Sequence, residues 1–177
     1  MVSNINYQVS LLTKRLRLTP VLGTHAEVMF PVLSDDRLYE YTGDCPPKSI
    51  ADLAAWFGAL ESRESPDGEE LWLTWLLFTI EGNTVIGYVQ ATVRDDAADI
   101  AWLVGSEWQG TGYASEAATA LAAWLTTNNV NAMSANIHPD HSASQKVAQA
   151  AGLHYSGQIK DGEEVWLMNS STSTSKL

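Results

Sequence analysis

An α+β domain on one central, mixed but mostly antiparallel sheet flanked by helices is predicted, on three observations. Two apolar runs, residues 71–80 and 84–93, flank Glu81-Gly82-Asn83, a hairpin signature, and a third run at 98–104 continues the meander. Ala114, Ala117, Ala118, Leu121, Ala122 and Leu125 recur at helical spacing, so residues 114–125 form one apolar helix stripe. The full order reads β, α, α, three antiparallel strands, α, β, α, two strands, which is α+β with a mixed sheet.

The elements follow in chain order. Residues 11–21 alternate in part, as Leu16 and Leu18 between Arg15, Arg17 and Thr19, and predict a first strand. Thr24-His25-Ala26-Glu27 has the wording of a capping box for a helix running to about Leu33. Gly43, Pro46 and Pro47 break the chain, and Ser49-Ile50-Ala51-Asp52 opens a second helix whose Leu53, Phe57 and Leu60 share a face. Residues 61–70, with Pro66 and Gly68, predict a mobile polar loop. Residues 132–137 predict a strand, residues 142–151 a helix ending at Gly152, and Asp161-Gly162 a turn between two last strands. A single domain over residues 8–168 is expected, with a frayed Ser/Thr-rich tail at 169–177.

With 177 residues, 45% of them hydrophobic, the chain can bury a sizeable core. The net charge of −11 argues against nucleic acid as a partner, because phosphate recognition needs clustered Lys and Arg. The same charge either draws in a cationic substrate such as an amine or serves solubility alone. No apolar run reaches membrane-spanning length, and residues 1–8 lack a signal-peptide pattern, so no membrane partner and a cytoplasmic location are expected. Ser175-Lys176-Leu177 matches a peroxisomal address, with meaning only in a eukaryote. Cys45 is the one cysteine and is read as incidental. Trp72, Trp75 and Trp166 on strand patterns mark either core or the surface of a homodimer.

The most informative stretch is Val104-Gly-Ser-Glu-Trp-Gln-Gly-Thr-Gly-Tyr-Ala-Ser-Glu116, where a buried strand turns into a helix. Glycines at such a corner let main-chain N–H groups approach an anion, and the helix N-terminus adds partial positive charge. The stretch therefore reads as a diphosphate cradle; the alternative is a plain strand–turn–helix corner using Gly for backbone freedom. It lacks the third glycine of the dinucleotide fingerprint, where Ser115 stands, and the Lys of the NTPase phosphate loop. The spacing Gln109-x-x-Gly112-x-Ala114 resembles instead the acyl-CoA loop of the GNAT superfamily of N-acetyltransferases.

A second block, Asn136-Ile-His-Pro-Asp-His-Ser-Ala-Ser-Gln-Lys-Val-Ala-Gln-Ala-Ala-Gly-Leu-His154, resembles the segment that follows in that superfamily, in the form found in RimJ/RimL-like ribosomal-protein N-terminal acetyltransferases. The two blocks stand in the family's order, and Arg15-Leu-Arg17-Leu18 suits the same branch. The resemblance implies a GNAT fold, acetyl-CoA as co-substrate, and a primary amine as acceptor, attacking directly with no enzyme nucleophile. It implies that the cofactor strand parts from its neighbour near a bulge. The main chain of Trp102, Leu103 and Val104 would then hold the pantetheine arm, the Trp102 side chain being read as core. It places the diphosphate on Gln109, Gly110, Thr111, Gly112, Tyr113, Ala114 and Ser115.

Acetyl transfer to an amine needs a proton acceptor, an oxyanion stabiliser and a proton donor for the leaving thiolate. Asp99, on the cofactor strand where relatives carry Glu, is the leading base, with Glu107 or a water as alternatives. Its other reading is a solvated strand residue. The tyrosine acid of many members is missing, since Ala148 takes its place. Ser144 is then the residue this branch sets near the sulfur, unless it serves helix-start chemistry with the Ser142/Gln145 box. His141 replaces the usual pantetheine-contacting Asn, and Lys146 either pairs with a CoA phosphate or lies on a solvated face. His138-x-x-His141, without further ligands, does not predict a metal site. The acceptor pocket is expected from residues 24–60 and the last hairpin. A CoA-binding module without catalysis is the competing class, motivated by the missing tyrosine and by His141.

Overall fold

The computed structural model describes residues 7–168; the expected tail at 169–177, with its Ser-Lys-Leu ending, lies outside the described residues. Eight strands form one sheet: β1 (Leu11–Leu12), β2 (Leu16–Pro20), β3 (Leu71–Thr79), β4 (Val85–Arg94), β5 (Ala97–Val104), β6 (Ala132–Ile137), β7 (His154–Lys160) and β8 (Glu163–Met168). Their spatial order is β1-β2-β3-β4-β5-β6-β8-β7. Four helices accompany them: α1 (Ala26–Leu33), α2 (Ile50–Leu60), α3 (Tyr113–Thr127) and α4 (Ser142–Ala150).

The sheet is filled on both faces. One apolar cluster joins Met29, Leu33, Leu53 and Phe57 of α1 and α2 to Leu76 and Val85. The other joins Ala117, Ala118, Leu121 and Leu125 of α3 and Val147 of α4 to Leu18, Trp75, Val89 and Ile100. The small residues of the α3 stripe let that helix lie close to the strands. Trp75 and Trp166 are core, with indole N–H groups donating to the Val9 carbonyl at 2.9 Å and Glu164 Oε2 at 3.0 Å.

Turn chemistry holds where its residues carry it. Gly82 and Asn83, like Asp161 and Gly162, take positive φ and close hairpins. Gly152, at φ 93°, ends α4, its N–H donating to the Gln149 carbonyl while Leu153 N–H reaches Ala148 O at 2.9 Å. Ser49 caps α2 as expected, accepting from Asp52 N–H at 3.1 Å.

Four expectations are corrected. The first strand is two, because Thr13 folds back, its N–H donating to Leu16 O at 2.9 Å. The Thr24 capping box does not form: α1 starts at Ala26 after a 3-10 turn, and His25 Nδ1 accepts from Leu22 N–H at 3.1 Å. The loop 61–70 is pinned to the body, since Arg63 is buried and donates to the Thr74 and Val21 carbonyls at 3.0 and 3.2 Å. Finally, β4 and β5 run in unbroken register from Arg94↔Ala97 to Gly87↔Val104, so no bulge marks the cofactor strand on that side.

Parting occurs on the other edge. Strands β5 and β6 are the parallel pair, in register at Ala97↔Ala132, Ala98↔Met133 and Asp99↔Ser134 and no further among the described residues. Beyond Asp99, β5 continues toward Val104 without β6, whose pairing with β8 on its other edge runs from Met133 to Ile137. The edge of β5 along residues 100–104 thus opens into a gap, as the family resemblance implies.

Candidate active site

Two clefts occupy the gap. The first, about 400 Å³, is lined by Trp102, Leu103 and Val104 of β5, the Gln109–Ser115 corner, and His141–Ser144, Lys146 and Val147 at the start of α4. The second, about 150 Å³, lies between Ile100–Trp102 of β5 and Ala135–His138, with Tyr41 and Glu163 on its walls. Four residues line both: Thr42, Trp102, His141 and Ser144. The clefts therefore meet at these side chains.

The corner is shaped by its glycines. Gly110 and Gly112 take φ of 74° and 85°, a conformation costly to any residue with a Cβ. Gly112 is the N-cap of α3, so the first amides of the helix point out of its end. Among the described residues, no amide from Gly110 to Ser115 donates to a protein acceptor, whereas the next, Glu116 N–H, closes on Gly112 O at 3.0 Å. Gln109 turns inward, its Nε2 donating to the Val104 carbonyl at 3.0 Å, and so ties the corner to the strand before it.

Arg15 holds the corner from outside, a role not read from the sequence. Its Nη1 donates to Thr111 O at 2.9 Å, its Nε to Glu116 Oε2 at 2.7 Å, and its guanidinium lies 4.4 Å from the Tyr113 ring centre. Thr13 Oγ1 and Arg15 N–H donate to the other Glu116 oxygen at 2.6 and 2.8 Å. Partial burial raises the Glu116 carboxyl pKa, but these donors and the Arg15 charge outweigh it, and the net shift is downward. A carboxyl lowered on folding contributes stability that is complete above its ordinary value of 4.5 and lost as pH falls through the folded value. Urea midpoints measured between pH 7 and 3 should fall with a gentler slope below 4.5 for Glu116→Gln than for the native chain. Equal slopes would show that the Arg15–Glu116 tie adds nothing.

Ser144 sits inside the junction. Its Oγ accepts from Trp102 Nε1 at 3.2 Å, leaving the hydroxyl proton to be donated elsewhere. The Trp102 side chain is thus a wall of both clefts and an orienting donor, not only core. The helix-start reading of Ser144 fails, because Gln145 sends its amide to Pro139 O at 2.8 Å and Glu164 Oε2 at 3.2 Å instead of closing a box. His141, the N-cap of α4, stacks on Tyr41 with ring centres 4.6 Å apart. Burial lowers its pKa below 6.5, His138 lowers it further, and Glu40 opposes both. Lys146 lines the first cleft on the exposed side of α4.

Asp99 is not brought to this group. It lies where β5 still pairs with β6, its exposed carboxylate accepts from Ser134 Oγ, and it lines neither cleft. Glu107, in a short 3-10 turn, is exposed and lines neither as well. Tyr41 and Thr42 fall within the 24–60 stretch expected to build the acceptor pocket, but neither is singled out by its sequence, because the irregular segment after α1 has no periodicity to announce a role.

Comparisons with known proteins agree with this fold. A family model described as an acetyltransferase (GNAT) domain matches residues 15–154. The uncharacterized protein YkkB of Bacillus subtilis (strain 168) is 27% identical over 160 residues, covering 88% of this chain and 91% of its own. The solved ribosomal-protein-S5-alanine acetyltransferase of Vibrio fischeri has a TM-score of 0.73 at 18% identity, covering 90% of this chain and 94% of that one. Aminoglycoside acetyltransferase AAC(6')-Ib, solved in complex with coenzyme A, has a TM-score of 0.70 at 17% identity, covering 88% and 95%. These likenesses in fold stand beside the family match, which takes in β2 through the start of β7 and with them the lining of both clefts except Glu163. The chain belongs to the GNAT family of acetyltransferases.

Proposed function

We propose that this acetyltransferase takes acetyl-CoA as donor and moves the acetyl group to a primary amine by direct attack, both substrates being bound together. A protein N-terminus, a polyamine, an amino acid or another small amine are the acceptor classes. One observation carries the reading most: a run of six amides, residues 110–115, without protein acceptors among the described residues, at the wall of a cleft that meets a second cleft at Trp102, His141 and Ser144.

The residues fit the donor. Outward amides at a helix N-terminus suit a diphosphate. The unpaired edge of β5 at Trp102, Leu103 and Val104 suits an arm that carries amides of its own, as an added strand would. Lys146, on the rim, suits a phosphate. When bound, acetyl-CoA supplies an activated acyl carbon and a thiolate leaving group.

The chain's own part is positioning and proton handling. Trp102 Nε1 fixes the Ser144 oxygen, so that the Ser144 O–H is free to donate to the leaving sulfur. The second cleft draws Tyr41 and Thr42 from the segment after α1 and Glu163 from the last hairpin, and would seat the amine. The net charge of −11 favours approach of a cationic acceptor. Asp99 stays outside this proposal, because Ser134 engages it away from both clefts.

The test is free-thiol release from acetyl-CoA with a panel of primary amines, together with titration of CoA by calorimetry. Turnover with at least one amine is expected, and Ser144→Ala should lower kcat about a hundredfold, the lower range for a lost proton donor, with CoA affinity retained. CoA binding without turnover for any amine would leave a silent binding module, and no CoA binding would remove the proposal.

A further inference from the structure

The sequence resemblance assigns His141 to the cofactor, in the place of an asparagine. Its surroundings give it more to do. Two histidines lie against Tyr41 at the junction, with ring centres 4.6 Å away for His141 and 5.3 Å for His138. They are not equivalent. His138 Nδ1 already accepts from Asp140 N–H at 3.2 Å and stands 4.0 Å from the Asp140 carboxylate, and His138 lines the second cleft but not the first. The His141 ring makes no hydrogen bond to the described residues, is half-buried, and lines both clefts. Of the carboxylates near the gap, Asp99 is engaged by Ser134, and Glu163 lines the second cleft alone. A group that must touch the acceptor nitrogen as it meets the acetyl carbon belongs where the clefts join.

We propose that His141 is the proton acceptor for the attacking amine, held in place by stacking on Tyr41. The inference rests on the acetyl-transfer reading above and assigns the base within it. The ammonium first loses a proton to solvent. As the nitrogen lone pair forms the C–N bond and the C–S bond breaks, the nitrogen becomes strongly acidic, and its proton passes to the neutral imidazole. The Ser144 hydroxyl proton goes to the sulfur, and the imidazolium returns its proton to Ser144, directly or through solvent. Amine and thioester enter; amide and thiol leave, and the protein ends as it began.

The groups around His141 favour the neutral ring this step requires. Burial and His138 depress its protonation, and Glu40 opposes them. Tyr41 covers one ring face, Lys146 lies on the same cleft wall from α4, and Glu163 faces it from β8 across the second cleft. The group should thus be neutral, and able to accept, at pH 7.

The experiment uses the full chain, acetyl-CoA and three acceptor probes: spermidine, a short peptide beginning with serine or alanine, and ribostamycin. His141→Asn installs the residue the family resemblance expects here and keeps a pantetheine contact possible. With the best probe, His141→Asn is expected to lower kcat about a hundredfold or more, leave the KM for acetyl-CoA within about threefold, and remove an acid limb expected below 6.5 in the native kcat profile, beyond the loss of rate that protonation of the amine itself causes. Free imidazole should restore part of the rate to His141→Ala, a rescue that a purely structural histidine would not give. Native-like kcat in His141→Asn with an unchanged acid limb would overturn the base assignment and leave acetyl transfer standing. No turnover by the native chain, with CoA bound, would overturn both.

Discussion

Gly87→Ala is expected to cost about 3 kcal/mol of stability, at the upper end for overpacking, and to abolish acetyl-CoA binding. A Cβ on Gly87 would lie 2.1 Å from the Leu103 carbonyl oxygen, 2.9 Å from Val104 Cα and 3.0 Å from the Leu103 carbonyl carbon. All three neighbours are backbone, so no rotamer change relieves the clash. Strand β5 must move, and it carries the Leu103 and Val104 edge of the first cleft and the carbonyl that anchors Gln109. The φ at Gly87 is not in the left-handed region, so the effect is one of space. Gly58 is the control: it lies inside α2 with nothing within 4 Å of an added Cβ. Gly58→Ala should stabilise by about 0.5–1 kcal/mol through helix propensity. Urea midpoints and the thermal shift on adding acetyl-CoA measure both. A Gly87→Ala protein with a native midpoint would show that the two strands separate easily.

Arg63→Ala is expected to destabilise by about 3–5 kcal/mol, the range for buried polar groups and cavities, while leaving CoA affinity near native. Only 1% of Arg63 is exposed, and no carboxylate pairs with it among the described residues. Burial lowers its pKa, with Glu61 opposing. Its fork spans two carbonyls, Thr74 inside β3 and Val21 just past β2, while its Nε has no partner among the described residues. Truncation removes both donors and leaves a cavity. Arg63 also has φ of 62°, so Arg63→Gly relieves backbone strain and should lose less than Arg63→Ala, although the cavity is larger. Arg63→Lys keeps charge but not the planar fork, and should still unfold earlier than the native chain. Chemical denaturation with a parallel CoA titration separates stability from binding; a lost CoA affinity would place Arg63 in the site's support.

How much of this was legible beforehand divides along physical lines. Strands β3 to β6 and helices α2 to α4 announce themselves through periodicity or through turn residues such as Asn83, Asp161 and Gly152, because local sterics dictate those conformations. The corner at Gln109–Ser115 was legible for the same reason: its glycines are needed by the backbone itself. Ser144 is singled out by a spacing, and the fold sets it where the two clefts meet. What escaped depends on contacts between distant segments. Arg15 reaches across 96 residues to Thr111, and Tyr41 meets His141 from a stretch without any pattern. Arg63 looked like one charge in a polar loop, since nothing in Ser62-Arg63-Glu64 announces that its side chain folds under the sheet edge. Asp99 shows the opposite: a residue that the sequence singles out and the fold sets outside both clefts. Its sequence position matched the family's Glu, but placement on the strand alone does not say which neighbour a carboxylate will find, and here Ser134 is adjacent in register.

The short parallel seam between β5 and β6 has a mechanical consequence. Within the sheet, three register pairs join five strands to three, while the apolar core under α3 and α4 spans the seam, so the sheet resembles a clothes-peg with its jaws already ajar. A molecule clasped between the jaws would bridge both groups of strands and act as mortar. Backbone amides of β6 and β8, remote from the Gln109–Ser115 corner, should then exchange with deuterium more slowly once the cleft is filled.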